Sequence, residues 1–204
     1  EGDNGFTAPS LIRTWFHTGR LIDLPRDGYF NRDPEALALK PALFCQYHPN
    51  DDFDDPVPPA DEATAQAIAH ALAGSVLRVE TCAADDDPAT EVPFTVEESR
   101  YKVRELRKKG EHDAYPIMLL LPLERISYQY EHFVNDPLCR HEITLAHDEF
   151  GLPVHAITVS YARRRTESDE PPFDDADEKI LWLDAHDPAQ QSYYLNESRA
   201  RFIH

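Results

Sequence analysis

The stretch RHEITLAHDEFGLPVHAITVSYARRR, Arg140 to Arg165, constrains the fold more than any other part of the sequence. Before its break, Ile143 and Leu145 alternate with Glu142, Thr144 and Ala146; after it, Ile157, Val159 and Tyr161 alternate with Ala156, Thr158 and Ser160. A period of two is the mark of half-buried antiparallel strands. Between the two runs, Asp148 can bond its own backbone and Gly151 tolerates positive φ, so DEFG reads as a hairpin turn. The apolar members of these runs, with Tyr128 and Tyr130, are the expected packed side of a sheet.

The same signal recurs through the second half of the chain. Leu77, Val79 and Thr81 alternate with Val76, Arg78 and Glu80; further strands are expected from about Phe94 through Val103, over Tyr115 to Leu123, and over Ile126 to Tyr130. Another is expected around Ile180 to Leu183, and a last one near Tyr193 to Ile203. One short strand is expected around Arg13 to His17. Short strands separated by Asp, Asn, Pro and Gly breaks point to antiparallel hairpins and meanders rather than βαβ crossovers, so the fold class is mainly β. One short helix stands out: Asp61 suits an N-cap, Ala65, Ile68, Ala69 and Leu72 share a face, and Gly74 suits a stop. Pro34 to Leu39 could add one or two helical turns, since Pro fits a first turn. Residues 50–60 and 166–179 read as acidic, proline-containing loops, the second of them mobile.

Composition removes several classes of function. Lys plus Arg number 20 against 38 Asp plus Glu, a formal charge of −18 that repels nucleic-acid phosphates and anionic lipid heads. No apolar run approaches the roughly 18 to 20 residues that span a bilayer as a helix. Seven glycines beside 17 prolines disfavour the Gly-rich loops of dinucleotide and P-loop folds. Cys45, Cys82 and Cys139 are scattered singly, which is neither a disulfide framework nor a zinc ribbon.

Sites of chemistry find little support. Cys139 and His141 sit two apart on one strand and so share a face, half of a zinc site that His155 would have to extend. The acidic loops lack the spacing and central Gly of a calcium-binding EF-hand. No GxSxG elbow is present, and the acids after Cys82 would raise its thiol pKa. Carboxylate pairs such as Glu97 with Glu98 or Asp148 with Glu149 could serve a glycosidase only at a set separation, which sequence does not give. The basic run Arg100 to Lys109 alternates with apolar residues and reads as the wet face of a strand. His17, with Trp15 and Phe16 beside it, has the most specific context of the ten histidines; a hydrogen-bonded imidazole in an aromatic cluster accounts for it. No catalytic residue, metal or cofactor is expected. Trp15, Phe16, His17, Tyr128, Tyr130, Asp148, Gly151 and Tyr161 are structural motif candidates.

Several of these stretches, in order, resemble one family. RTWFHTG (Arg13 to Gly19), GSVLRVE (Gly74 to Glu80), PFTVEESRYKVREL (Pro93 to Leu106), LERISYQYEHFVNDPLCRHEITLAHDEFGLPVHAITVSYARR (Leu123 to Arg164) and YYLNESR (Tyr193 to Arg199) are similar to the middle-to-C-terminal region of the B component of insecticidal toxin complexes, the TcdB/TcaC-like, Rhs-related proteins. The long block, with its YxY, NDP and DEFG elements, is the most specific part. The resemblance implies a single mainly β region, 1–204, excised from a larger, secreted or cell-surface B protein, and a place in the wall of an Rhs/YD-type β shell. It implies that this shell encloses the toxic region of a C component, and that the rest of the B protein docks on a pentameric A component. It assigns no catalytic residue. Two rival expectations come from the residues: a secreted glycan- or protein-binding β module with Trp15, Tyr193 and Tyr194 lining a groove, and a hydrolase using a carboxylate pair or the Cys139/His141 pair.

Overall fold

The computed structural model describes residues 10–20, 28–51, 53–84, 91–110, 115–131 and 133–203. Among these residues nine strands and two α-helices follow in chain order: β1 (Ser10–Phe16), β2 (Leu43–His48), β3 (Phe53–Pro56), α1 (Glu62–Leu72), β4 (Val76–Ala83), β5 (Thr95–Arg107), β6 (Ile117–Gln129), β7 (Leu138–His147), β8 (Pro153–Ser160), α2 (Ala176–Asp184) and β9 (Tyr194–Arg199). They form one sheet in the order β1-β4-β5-β6-β7-β8-β9, antiparallel throughout this path. The exception to the antiparallel rule is β2, which runs parallel to β5 over Leu43 to Gln46 and carries β3 on its other side.

Side chains that face each other across paired strands share a sheet face. One row therefore crosses seven strands as Trp15, Arg78, Glu98, Ile126, His141, Val159 and Leu195. The opposite face carries Thr14, Val79, Glu97, Ser127, Arg140, Ser160 and Tyr194 in the same order. The first face is covered in its middle by the irregular segment 28–41, which we call the strap. Under it Val92, Val96, Ile126, Tyr128 and Tyr130 form a buried cluster, with Phe30 and Leu39 of the strap packed against them. A second cluster, Phe44, Leu72 and Val103 with Ile68, Tyr101 and Leu120, seats α1 on the sheet.

The opening hairpin has the expected form. Asp148 Oδ1 accepts from the amides of Phe150 (3.0 Å) and Leu152 (2.8 Å), the Asp148 amide donates to the Leu152 carbonyl, and Gly151 takes φ +86°. α1 also begins and ends as expected: Asp61 accepts from the Thr64 amide at 2.7 Å, and Gly74 takes φ +80°.

Other expectations need correction. Tyr115 to Leu123 and Ile126 to Tyr130 are one strand, β6, with a bulge where Arg100 pairs with Glu124 and Tyr101 with Pro122, so Leu123 is the extra residue. Pro34 to Leu39 forms no helix: Asp33 takes the Glu35 amide, and the Leu37 amide donates to the Tyr128 hydroxyl, which removes helical partners. Ile180 to Leu183 lies in a helix, α2, not a strand; Asp175 caps its first turn by accepting from the amides of Asp177 and Glu178. The acidic stretch 166–179 thus ends in a helix, and it begins in a turn where Asp169 accepts from the Thr166 amide. The 50–60 loop contains β3. Leu145 was expected on the packed side but is 49% exposed, because a register irregularity between Thr144 and Ala146 breaks the alternation.

Candidate functional site

Polar side chains on the covered face are the most organised chemistry in the molecule, and three clusters hold separate segments together. In the first, Asp33 of the strap accepts both guanidinium nitrogens of Arg164, at 2.9 and 3.0 Å, and the Tyr130 hydroxyl at 2.8 Å. Burial alone would raise the Asp33 pKa, but the bonds from Arg164, Tyr130 and the Glu35 amide outweigh it and hold the carboxyl below its usual range. The Arg164 backbone is itself fixed, since Asp136 accepts the amides of Arg164 (3.0 Å) and Arg165 (3.3 Å) and pairs with the Arg163 guanidinium.

In the second cluster the fully buried Glu80 takes Arg78 Nε at 2.6 Å and the strap amide of Phe30 at 2.9 Å. Arg78 returns a bond to the Phe30 carbonyl at 3.0 Å and pairs with Glu98. This second cluster thus ties the strap by its backbone, as the first ties it by the side chain of Asp33.

The third cluster corrects the expectation that Arg100 to Lys109 is a wet strand face and that residues 50–60 are a solvated loop. Lys102 and Arg104 are 4% and 0% exposed, and Asp54 of β3 pairs with both, Arg104 Nε and Nη2 standing 2.7 and 2.8 Å from its two oxygens. Arg104 also donates to the carbonyls of His147 and Asp148 and lies over the Tyr47 ring, 4.3 Å from its centroid. Desolvation pushes the nearby Cys45 thiol up to about 11, and Cys139 likewise, which disfavours the thiolate form of both at neutral pH.

A groove of about 440 Å³ opens where β5 changes partner, since pairing with β4 stops at Glu98 and pairing with β2 starts at Lys102. Trp15, His17, Tyr29, Ile68, Arg100 and Tyr101 are among its lining residues. Two of its polar side chains are already committed: Arg100 Nε donates to the Pro41 carbonyl at 2.7 Å, its guanidinium pairs with Glu124, and the Tyr101 hydroxyl donates to the Val76 carbonyl at 3.0 Å. Trp15 packs edge-on against Tyr29 at 4.8 Å, and His17 edge-on against Tyr101 at 6.1 Å.

The motif candidates therefore fall in four places. Trp15 and His17 line the groove with Phe16, whose side is half exposed. Tyr128 and Tyr130 hold the strap, Asp148 and Gly151 make the hairpin turn, and Tyr161 stacks on His141 and meets Tyr193 edge-on. Cys139 and His141 do share a face, but His155 bonds Glu197 at 2.7 Å, and among the described residues no group of three or more His, Cys, Asp and Glu is placed to hold a metal ion. Glu97 and Glu98 point to opposite faces, one toward Arg125 and the other toward Arg78, and so do not form a cleft pair. Trp15 and Tyr194 belong to the first and last strands of the sheet order and line no common groove.

The sheet, the strap and the committed charges define a class: a mainly antiparallel β scaffold whose buried polar residues fasten segments together. Residues 67–204 match the family described as insecticide toxin TcdB middle/C-terminal region, and the chain belongs to that family. No curated protein matches the sequence. Among solved structures, the crystal structure of TcdB2-TccC3 without its hypervariable C-terminal region is 31% identical with a TM-score of 0.84, covering 97% of this chain and 9% of that one. The crystal structure of TcdB2-TccC3-Cdc42 is 30% identical with a TM-score of 0.86, covering 99% and 9%. The Tc holotoxin pore of Photorhabdus luminescens is 31% identical with a TM-score of 0.83, covering 97% and 9%. The chain thus spans about 9% of the length of the solved chains it matches.

Proposed function

We propose that this chain is a non-enzymatic wall segment of a secreted toxin-complex B component, a single mainly β region within a larger protein. Its task is to help build the β shell that encloses and delivers the toxic region of a C component, while other parts of the B protein meet the A component. The observation that carries this reading is the match over nearly the whole chain to structures in which a TcdB2 protein accompanies TccC3. Two features of the fold support it. Among the described residues the outermost strands of the sheet order, β1 and β9, each have one paired neighbour, which leaves their other edges for further strands. Asp33, Asp54, Arg78, Arg104 and one oxygen of Glu80 are spent on one another and on backbone, which suits a wall better than a catalytic centre.

The test is protease challenge of the C component's C-terminal region after co-expression with the full B protein. Protection is expected with the intact B protein and lost when the β7–β8 hairpin is disrupted while the remaining B protein stays folded. A C component that is digested equally in both cases overturns the reading in favour of a stand-alone binding module.

A further inference from the structure

His147 ends β7 at the tip of the hairpin, where pairing with β8 slips twice, between Thr144 and Ala146 and between Ala146 and His147. His147 is 4% exposed, and among the described residues the ring has no side-chain partner: the one polar group that favours its proton from the backbone is the Pro122 carbonyl, at less than full hydrogen-bonding geometry. The charges that act on it come from two other strands: Lys102 and Arg104 of β5 and Asp54 of β3. Cys45 of β2, in the field of the same three groups, is held as a neutral thiol. The carboxylate of Asp148 is occupied by the amides of its own turn.

What holds the tip is equally specific. The Arg104 guanidinium binds the carbonyls of His147 and Asp148 on one side and both oxygens of Asp54 on the other. Gly151 then seats the turn on β6 so closely that a Cβ there would stand 2.6 Å from Leu121 Cδ2 and 3.0 Å from Leu119 Cδ2. One carboxylate already serves two buried cations at this point. We propose that His147 makes the β7–β8 tip an acid-released latch: a proton on its buried imidazole adds a third cation to the cluster, the ring moves out to water, and the turn leaves Arg104, Leu119 and Leu121.

The electrostatics agree in sign. Burial first, and then Lys102 and Arg104, push the His147 pKa down to about 4, against the opposing pull of Asp54 and the Pro122 carbonyl. A histidine whose folded pKa lies below its ordinary value of about 6.5 stabilises the closed form fully above that value. That contribution is lost progressively as pH falls from there toward about 4.

The experiment is hydrogen–deuterium exchange by mass spectrometry on the full-length protein that contains this chain, from neutral pH down to mild acid, corrected for intrinsic exchange. Peptides covering 145–153 should lose protection as the pH falls, while peptides covering 124–130 keep theirs. His147→Leu should abolish the loss, and Lys102→Met, which removes one of the repelling cations, should move its midpoint. Should His147→Leu fail to fold, His147→Gln gives the same reading. Unchanged protection at the tip overturns the proposal. So does a loss that persists without His147 and disappears in Asp148→Asn, which would make the turn carboxylate the sensor.

Discussion

Ile126 in the middle of the sheet and Leu195 at its rim occupy the same cross-strand row on the same face, yet one is 0% and the other 69% exposed. The middle, β4 to β7, has the strap above it and three ionic clusters beneath. The rim, β8 and β9 with α2, has neither: every residue of β9 is exposed, and Ile180, Leu181 and Leu183 of α2 stand in water. Alternating strands alone therefore do not produce burial. The covering segment does, and here it is fastened by charges whose removal one at a time is expensive, because the partner left behind remains buried.

If that contrast is right, the largest effect should follow from Arg104→Ala. Asp54 would keep only Lys102, and two turn carbonyls would lose their donor, a cost of about 3–5 kcal/mol by the usual penalty for breaking a buried ion pair, read in urea denaturation. Next comes acid. The carboxyls of Asp33 and Asp54 are both held below the ordinary range by their cationic partners despite burial, so their contribution is present above that range and disappears as pH falls through it. Asp33→Asn with Asp54→Asn should flatten the stability profile there, and an unchanged profile would break the comparison. Tyr130→Phe removes one buried bond to Asp33 and should cost about 1 kcal/mol. Smallest is Leu195→Ser, within about 0.5 kcal/mol, as for other exposed positions. A large loss at Leu195 in the assembled B protein, but not in this chain alone, would sharpen the contrast by showing that another segment covers the rim.

Much of the frame is legible in the sequence, and the reasons differ by element. The β7–β8 hairpin announces itself because alternation and turn chemistry agree, and α1 because cap, face and stop agree. Ile180 to Leu183 misleads because four apolar residues fit a strand or a helix equally well, and the deciding signal is Asp175 outside the run. β2 and β3 were hidden because parallel pairing to a distant strand leaves no local turn, and β3 is masked by its acids. The ionic clusters were hidden for a related reason. Lys102 and Arg104 alternate with apolar neighbours as surface residues do, and only Asp54, brought over by β3, turns their side into an interior. Asp136, Arg163 and Arg164 stood within the most specific stretch of the family resemblance, in NDP and at the end of SYARR, but nothing in either string says that they bind each other.

The change of partner along β5 also sets an order of assembly. Its pairing with β6 and its antiparallel pairing with β4 join neighbours in the chain, and such contacts close short loops and form early. The parallel bond with β2 closes a longer loop, since the chain carries β3, α1 and β4 out and back between the two strands, and so has the larger closure entropy to overcome. Without that pairing Lys102 and Arg104 have no carboxylate from β3, so a β5 strand joined only to β4 and β6 carries two bare charges that end up buried.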